Sequence, residues 1–120
     1  MIDKKEAKKN YKQTLPPMGI YQIKNLADGK VLIGSSKNLP GMLNRCKFQL
    51  GVGSHMNSEL QNDYHKLGEK NFSFDVLDQL EPKEDPAYDY TDDLKVLEEM
   101  WLEKLQPFGE KGYNAKTTAK

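Results

Sequence analysis

Strand-like spacing of apolar residues begins at Met18. Ile20, Tyr21 and Ile23 are β-formers, and Asp28-Gly29 is a short hairpin signal ahead of Lys30-Val31-Leu32-Ile33. Two antiparallel strands are expected over about 18–25 and 30–35, the second ended by Gly34-Ser35-Ser36. The period then changes. Pro40 suits the first turn of a helix, where a missing N–H leaves nothing unpaired. Met42, Leu43, Cys46, Phe48 and Leu50 supply apolar positions for a helix over about 40–50, broken by Gly51-Val52-Gly53. Asn57 or Ser58 can cap a second helix, about 58–67, carrying Leu60, Tyr64 and Leu67, with Gly68 at its C-terminal end. Phe72, Phe74, Val76 and Leu77 mark a third strand over about 71–79. A polar, acidic loop follows, and Thr91 or Asp92 caps a last helix with a stripe of Leu94, Leu97, Trp101, Leu102 and Leu105. Pro107 and Gly109 stop it. The order β-β-α-α-β-α predicts a small α/β (α+β) unit, a three-stranded antiparallel sheet flanked by helices.

A chain of 120 residues suits one domain. The expected organisation is a Lys-rich arm over 1–16, a domain over 17–114 and a tail over 115–120. The sequence Gly53-Ser54-His55-Met56 resembles a tag scar, but the residues on both sides read as one domain, so it is taken as native. With 37% hydrophobic residues the chain can bury one modest core. Its single cysteine, Cys46, excludes an internal disulfide and fits a reducing, cytoplasmic setting. No apolar run approaches the roughly 20 residues of a membrane span, so no membrane association is expected.

Charge qualifies any nucleic-acid reading. Lysine plus arginine and aspartate plus glutamate each number 18, whereas DNA-binding domains usually carry a basic excess. Residues 81–103 hold nine acids against two lysines, a face that a nucleic acid would have to avoid. Balanced charge therefore argues mildly against tight binding.

A set of motifs narrows the reading. Gly19-Ile20-Tyr21 is followed across the hairpin by Leu32-Ile33-Gly34, then by Ser35-Ser36-Lys37-Asn38-Leu39 and a helix. His55 follows a glycine-rich loop, and then come Leu60-Gln61 and Phe72-Ser73-Phe74. A helical Glu98 precedes Trp101 by three residues, and Gly112-Tyr113-Asn114 closes the series. In order and spacing the chain resembles the GIY-YIG endonuclease superfamily over residues 18 to 114. The resemblance implies a GIY-YIG nuclease-like fold and one-metal hydrolysis of DNA phosphodiesters, with Mg²⁺ or Mn²⁺ held weakly by Glu98. It implies that Tyr21 helps deprotonate the attacking water, and that Asn114 and His55 match residues at or near the site. DNA is the expected partner ahead of RNA, with a protein partner as a further possibility.

The departures from the pattern carry equal weight. Leu32 stands where the second motif has tyrosine, Met42 where the first helix has its arginine, and Cys46 where a histidine is often found. Losing one preorganised charge-stabilising donor costs about 2.7–4 kcal/mol, or roughly 10²–10³ in rate. Arg45, one turn beyond Met42, is the available substitute, although relatives often carry a basic residue there as well. Each candidate also has a structural reading. Tyr21 is a strand aromatic, Glu98 belongs to an acidic face, and His55 can cap a helix. Cys46 reads as core, and Asn114 can fix a terminal turn. Lys37, Arg45 and Lys47 are the candidate phosphate contacts, or ordinary surface charge. Three functions stay open: a metal-dependent DNA endonuclease, a module that binds nucleic acid or protein without cutting, and a small-ligand domain using the same groove.

Overall fold

The computed structural model describes residues 15–115. Its elements are β1 (Gly19–Asn25), β2 (Val31–Ser36), α1 (Leu39–Val52), α2 (Ser58–Leu67), β3 (Phe72–Gln79) and α3 (Thr91–Leu105). This is the β-β-α-α-β-α order read from the sequence. The expected arm and tail lie outside the described residues, apart from Leu15, Pro16 and Ala115.

All pairing is antiparallel in the strand order β2-β1-β3, so β1 is central. Side chains opposite each other in register share a face of the sheet. Tyr21 pairs with Gly34 and Ile23 with Leu32, and this face packs under α1 and α2. Its core is Tyr21, Ile23, Leu39, Cys46, Leu50, Leu60, Phe72 and Tyr113. On the other face Ile20, Val31 and Ile33 meet Leu97, Trp101 and Leu102 of α3. The sheet is thus buried on both sides, and β1 is its most completely covered strand.

Caps fix the helix starts. The Asn38 side chain accepts from the Gly41 N–H at 3.0 Å, with Pro40 in the first turn, and Asn57 accepts from the Leu60 N–H at 3.0 Å. The outer edge of β2 is covered by the C-terminal segment. Gly112 bridges Val31 in parallel, and the Tyr113 N–H donates to the Val31 carbonyl at 2.9 Å. Covering the edge removes a row of unpaired backbone groups.

The expected hairpin between β1 and β2 forms, through the five-residue connection Leu26 to Lys30, in which the Gly29 N–H donates to the Asn25 carbonyl at 2.8 Å. Three local expectations are corrected. Gly51 and Val52 remain helical, and α1 ends only at Gly53, in the left-handed region at φ 84°. Thr91 and Asp92 do not cap α3; Asp89 accepts from the Thr91 N–H at 2.9 Å instead. Phe48 is 69% exposed rather than part of the core stripe. On a helix it lies about 200° round from Cys46, away from the sheet.

Candidate functional site

Between the α1 side of the sheet and the loop before α2 lies a cleft of about 440 Å³. β1 contributes Tyr21, β2 contributes Leu32, and the loop contributes His55, Met56 and Asn57. Met42, Arg45, Cys46 and Gln49 come from α1. Their spacing of three, four and seven residues places them on one helix face. The helix thereby presents to the cleft one cation, one amide and two sulfur side chains.

Tyr21 is buried, and its ring lies across Gly34 on the neighbouring strand. A Cβ on Gly34 would fall 2.7 Å from Cε2 of the ring and closer still to Cζ and the hydroxyl. The glycine of the second motif is therefore the seat of the tyrosine of the first. Burial pushes the phenol up to about 12, with contributions from the neighbouring Cys46 and the Glu98 carboxylate. The Cys46 thiol lies beside the hydroxyl, and the thiol's own pKa is raised by burial. At neutral pH the phenol holds its proton and acts as a donor.

Glu98 projects from α3 and is half-buried. Its Oε1 accepts from the Ser35 hydroxyl at 2.7 Å. Because β2 is an edge strand and Gly34 has no side chain, the strand is thin here, and the Glu98 charge is felt at the Tyr21 hydroxyl.

His55 is held from both sides. Its N–H donates to the Gln61 Oε1 at 3.0 Å, while Gln61 Nε2 donates to the Leu50 carbonyl at 2.9 Å, tying the loop to α1. The Asn57 N–H donates to His55 Nδ1 at 3.0 Å. With Nδ1 accepting, the proton of the neutral ring sits on Nε2. Burial lowers the imidazole's pKa, which favours this neutral form. His55 thus offers the cleft a fixed N–H donor.

Three predicted residues are placed elsewhere. Asn114 sits behind β2, where Nδ2 donates to the Ile33 carbonyl and Oδ1 accepts from the Ile33 N–H, both at 2.9 Å. It imitates a paired strand and positions β2 without lining the cleft. Lys37 is tied to the start of α3, 3.8 Å from Asp89 and 3.3 Å from the Thr91 hydroxyl. Lys47 lies over the Phe74 ring, 5.1 Å from its centroid, on another face of α1. The motifs gave no role to Ser35, Gln49, Asn57 or Gln61. Ser35 and Gln61 each stood in a motif, but their roles depend on partners elsewhere, Glu98 for Ser35 and the Leu50 carbonyl of α1, 11 residues away, for Gln61.

No family model matches the chain, and no curated protein matches it. Two solved structures do. The catalytic domain of the homing endonuclease I-TevI is 29% identical, with a TM-score of 0.69 over 83% of this chain and 99% of that one. A glutamate-to-alanine mutant of the same intron endonuclease domain gives 29% identity and a TM-score of 0.68, over 85% and 97%. The chain is a structural homologue of the GIY-YIG endonuclease catalytic domain. Within this GIY-YIG-type fold, Leu32 and Met42 both line the cleft, so the two departures fall at the candidate site and not on a distant surface.

The buried phenol has a consequence for stability. Unfolded tyrosine ionises near pH 10, and Tyr21 in the fold near 12. Across that window the unfolded chain releases a proton that the folded one keeps, so stability is full below pH 10 and falls above it. The loss attributable to Tyr21 is about 2–3 kcal/mol. Tyr21→Phe should flatten part of the alkaline decline in urea unfolding followed from neutral pH to beyond pH 11. Identical declines in both proteins would assign the effect elsewhere, with Tyr113, also raised by burial, the next group to test.

Proposed function

We propose that this nuclease-like domain is a divalent-metal-dependent endonuclease that hydrolyses DNA phosphodiester bonds at a reduced rate. The observation that carries this reading is convergence. Tyr21, Arg45 and His55 share one cleft, and the Glu98 carboxylate is near enough to perturb the Tyr21 phenol.

The donor chemistry fits a metal that is completed by substrate. Among the described residues no group of three His, Cys, Asp or Glu side chains can hold an ion, but Mg²⁺ is commonly bound by one or two carboxylates together with substrate phosphates. Glu98 would provide the protein oxygen, fixed by its bond from Ser35. When bound, such an ion supplies Lewis-acid stabilisation of the phosphoryl and leaving oxygens.

The chain's own groups do the rest. Arg45 is exposed at the cleft and has no ion-pair partner among the described residues. Its guanidinium is available to a phosphate. His55 Nε2–H and the Tyr21 hydroxyl are neutral donors that orient a phosphate oxygen or the attacking water. Leu32 and Met42 hold no proton and no charge, so two positions that normally stabilise the transition state contribute nothing. A second reading, binding of DNA without cleavage, is favoured by this same placement of Leu32 and Met42 in the cleft wall.

Supercoiled DNA incubated with Mg²⁺ or Mn²⁺ separates the two. Slow nicking is expected, with Glu98→Ala slower by on the order of 10² or more. Nicking that persists undiminished in Glu98→Ala would remove the endonuclease reading. Salt-sensitive binding with no nicking by the wild-type domain would establish the second.

A further inference from the structure

The walls of the cleft are wrong for a phosphate alone. Phosphates are held by cations and N–H donors, and here Leu32, Met42, Met56 and the Tyr21 ring provide much of the lining. Met56 is 92% exposed, so its thioether stands open at the rim. An unpaired nucleobase has the matching chemistry, a flat apolar body with donors and acceptors only along its edge. Polarisable sulfur and aliphatic side chains pack favourably on such a ring. The volume of about 440 Å³ falls in the range of sites that enclose a small organic group.

Two uncommitted polar side chains complete the match. Neither the Gln49 amide nor the Arg45 guanidinium has a side-chain hydrogen bond or ion pair among the described residues. They stand four residues apart on α1, neighbours on one helix face. An amide offers a donor and an acceptor side by side, the pattern that reads a base edge. A guanidinium suits the phosphate attached to that base. By contrast, the Asn57 amide is committed, Nδ2 donating to the Tyr113 carbonyl at 2.7 Å and Oδ1 accepting from the Leu60 N–H.

We infer that the cleft receives the base of an unpaired deoxynucleotide, with Gln49 on the base edge and Arg45 on the adjoining phosphate. This rests on the reading of the domain as one that engages DNA. It makes the preferred target a bulge or single-stranded stretch, since a base within a duplex cannot enter the cleft without leaving its stack.

The test uses fluorescence anisotropy without divalent metal and three labelled DNAs: a full duplex, the same duplex with a thymidine bulge, and that bulge made abasic. The bulged DNA should bind on the order of tenfold tighter than the duplex, and the abasic bulge should fall back to the duplex value. Gln49→Leu, which keeps the volume, should erase the difference. Met56→Asp should do the same, and it alters an exposed side chain that the fold does not need. Equal affinity for the thymidine and abasic bulges overturns the inference and leaves the DNA reading standing. Failure to bind any of the three overturns both.

Discussion

Gly19→Ala should destabilise the domain by on the order of 3–6 kcal/mol, combining backbone strain with a collision that cannot relax. Gly19 sits at φ +156°, and a Cβ there would fall 2.7 Å from the Gln79 Cα and 2.8 Å from the Asp78 carbonyl carbon. These are backbone atoms of β3, paired to β1 beside the register shift at Ile20/Tyr21. They can move only by breaking the ladder. Net stabilities of small domains are about 5–15 kcal/mol, so much of the protein would unfold. Gly34→Ala meets a side chain, the Tyr21 ring, which can swing aside. Its cost should be smaller, about 1–3 kcal/mol, but the displaced phenol would lose Cys46 and the site with it. In a Tyr21→Leu background the same change should cost less, a coupling of about 0.5–3 kcal/mol. Gly51→Ala is the control. It lies within α1 with nothing inside 4 Å, and should stabilise by about 0.4–1 kcal/mol. Urea unfolding of the set measures all of these, and a Gly19→Ala curve lying with that of Gly51→Ala would refute the account.

The first glycine and the second thus serve the same tyrosine from two directions. Gly19 lets β3 close against β1, and Gly34 leaves room for the ring that β1 presents. The spacing of the two motifs in sequence, Tyr21 opposite Gly34, is the imprint of that contact.

Local rules made the elements legible. Pro40, Asn57 and Gly68 punctuate the helices as their side chains or conformations require, while the Asn38 cap of α1 emerges only from the structure. The resemblance singled out Tyr21, Arg45 and His55, which share the cleft, and Glu98, which stands beside it. What stayed hidden depends on partners distant in sequence. Ser35 meets Glu98 across 63 positions, and Asn114 meets Ile33 across 81. Charge type alone made Lys37, Arg45 and Lys47 equivalent. Packing separates them: Lys37 is drawn to Asp89 and Lys47 to Phe74, leaving Arg45 as the cation in the cleft. The proton of His55 was equally out of reach, because it follows from a turn that brings the Asn57 N–H onto Nδ1.

Met42→Arg should raise single-turnover nicking by up to about 10²–10³, the value of one preorganised charge-stabilising donor. Met42 lines the cleft one turn before Arg45, so a guanidinium there enters the same volume without rearranging the helix. The half-buried methionine contributes some packing to the core, and its loss should show as a modest drop in thermal midpoint. Met42→Lys should recover less, because an ammonium lacks the planar fork that spans two phosphate oxygens, and Met42→Gln should recover little. Leu32→Tyr should add to Met42→Arg by other than the product of the single gains, since groups acting on one transition state are not independent. The arginine also has an opposite effect on binding: a charge set into an apolar wall should weaken the preference for a thymidine bulge over its abasic form. A folded Met42→Arg domain that cuts no faster would mean that the missing charge is not what limits hydrolysis. Faster cutting with the base preference lost would show that one position exchanges a cutting role for a gripping one.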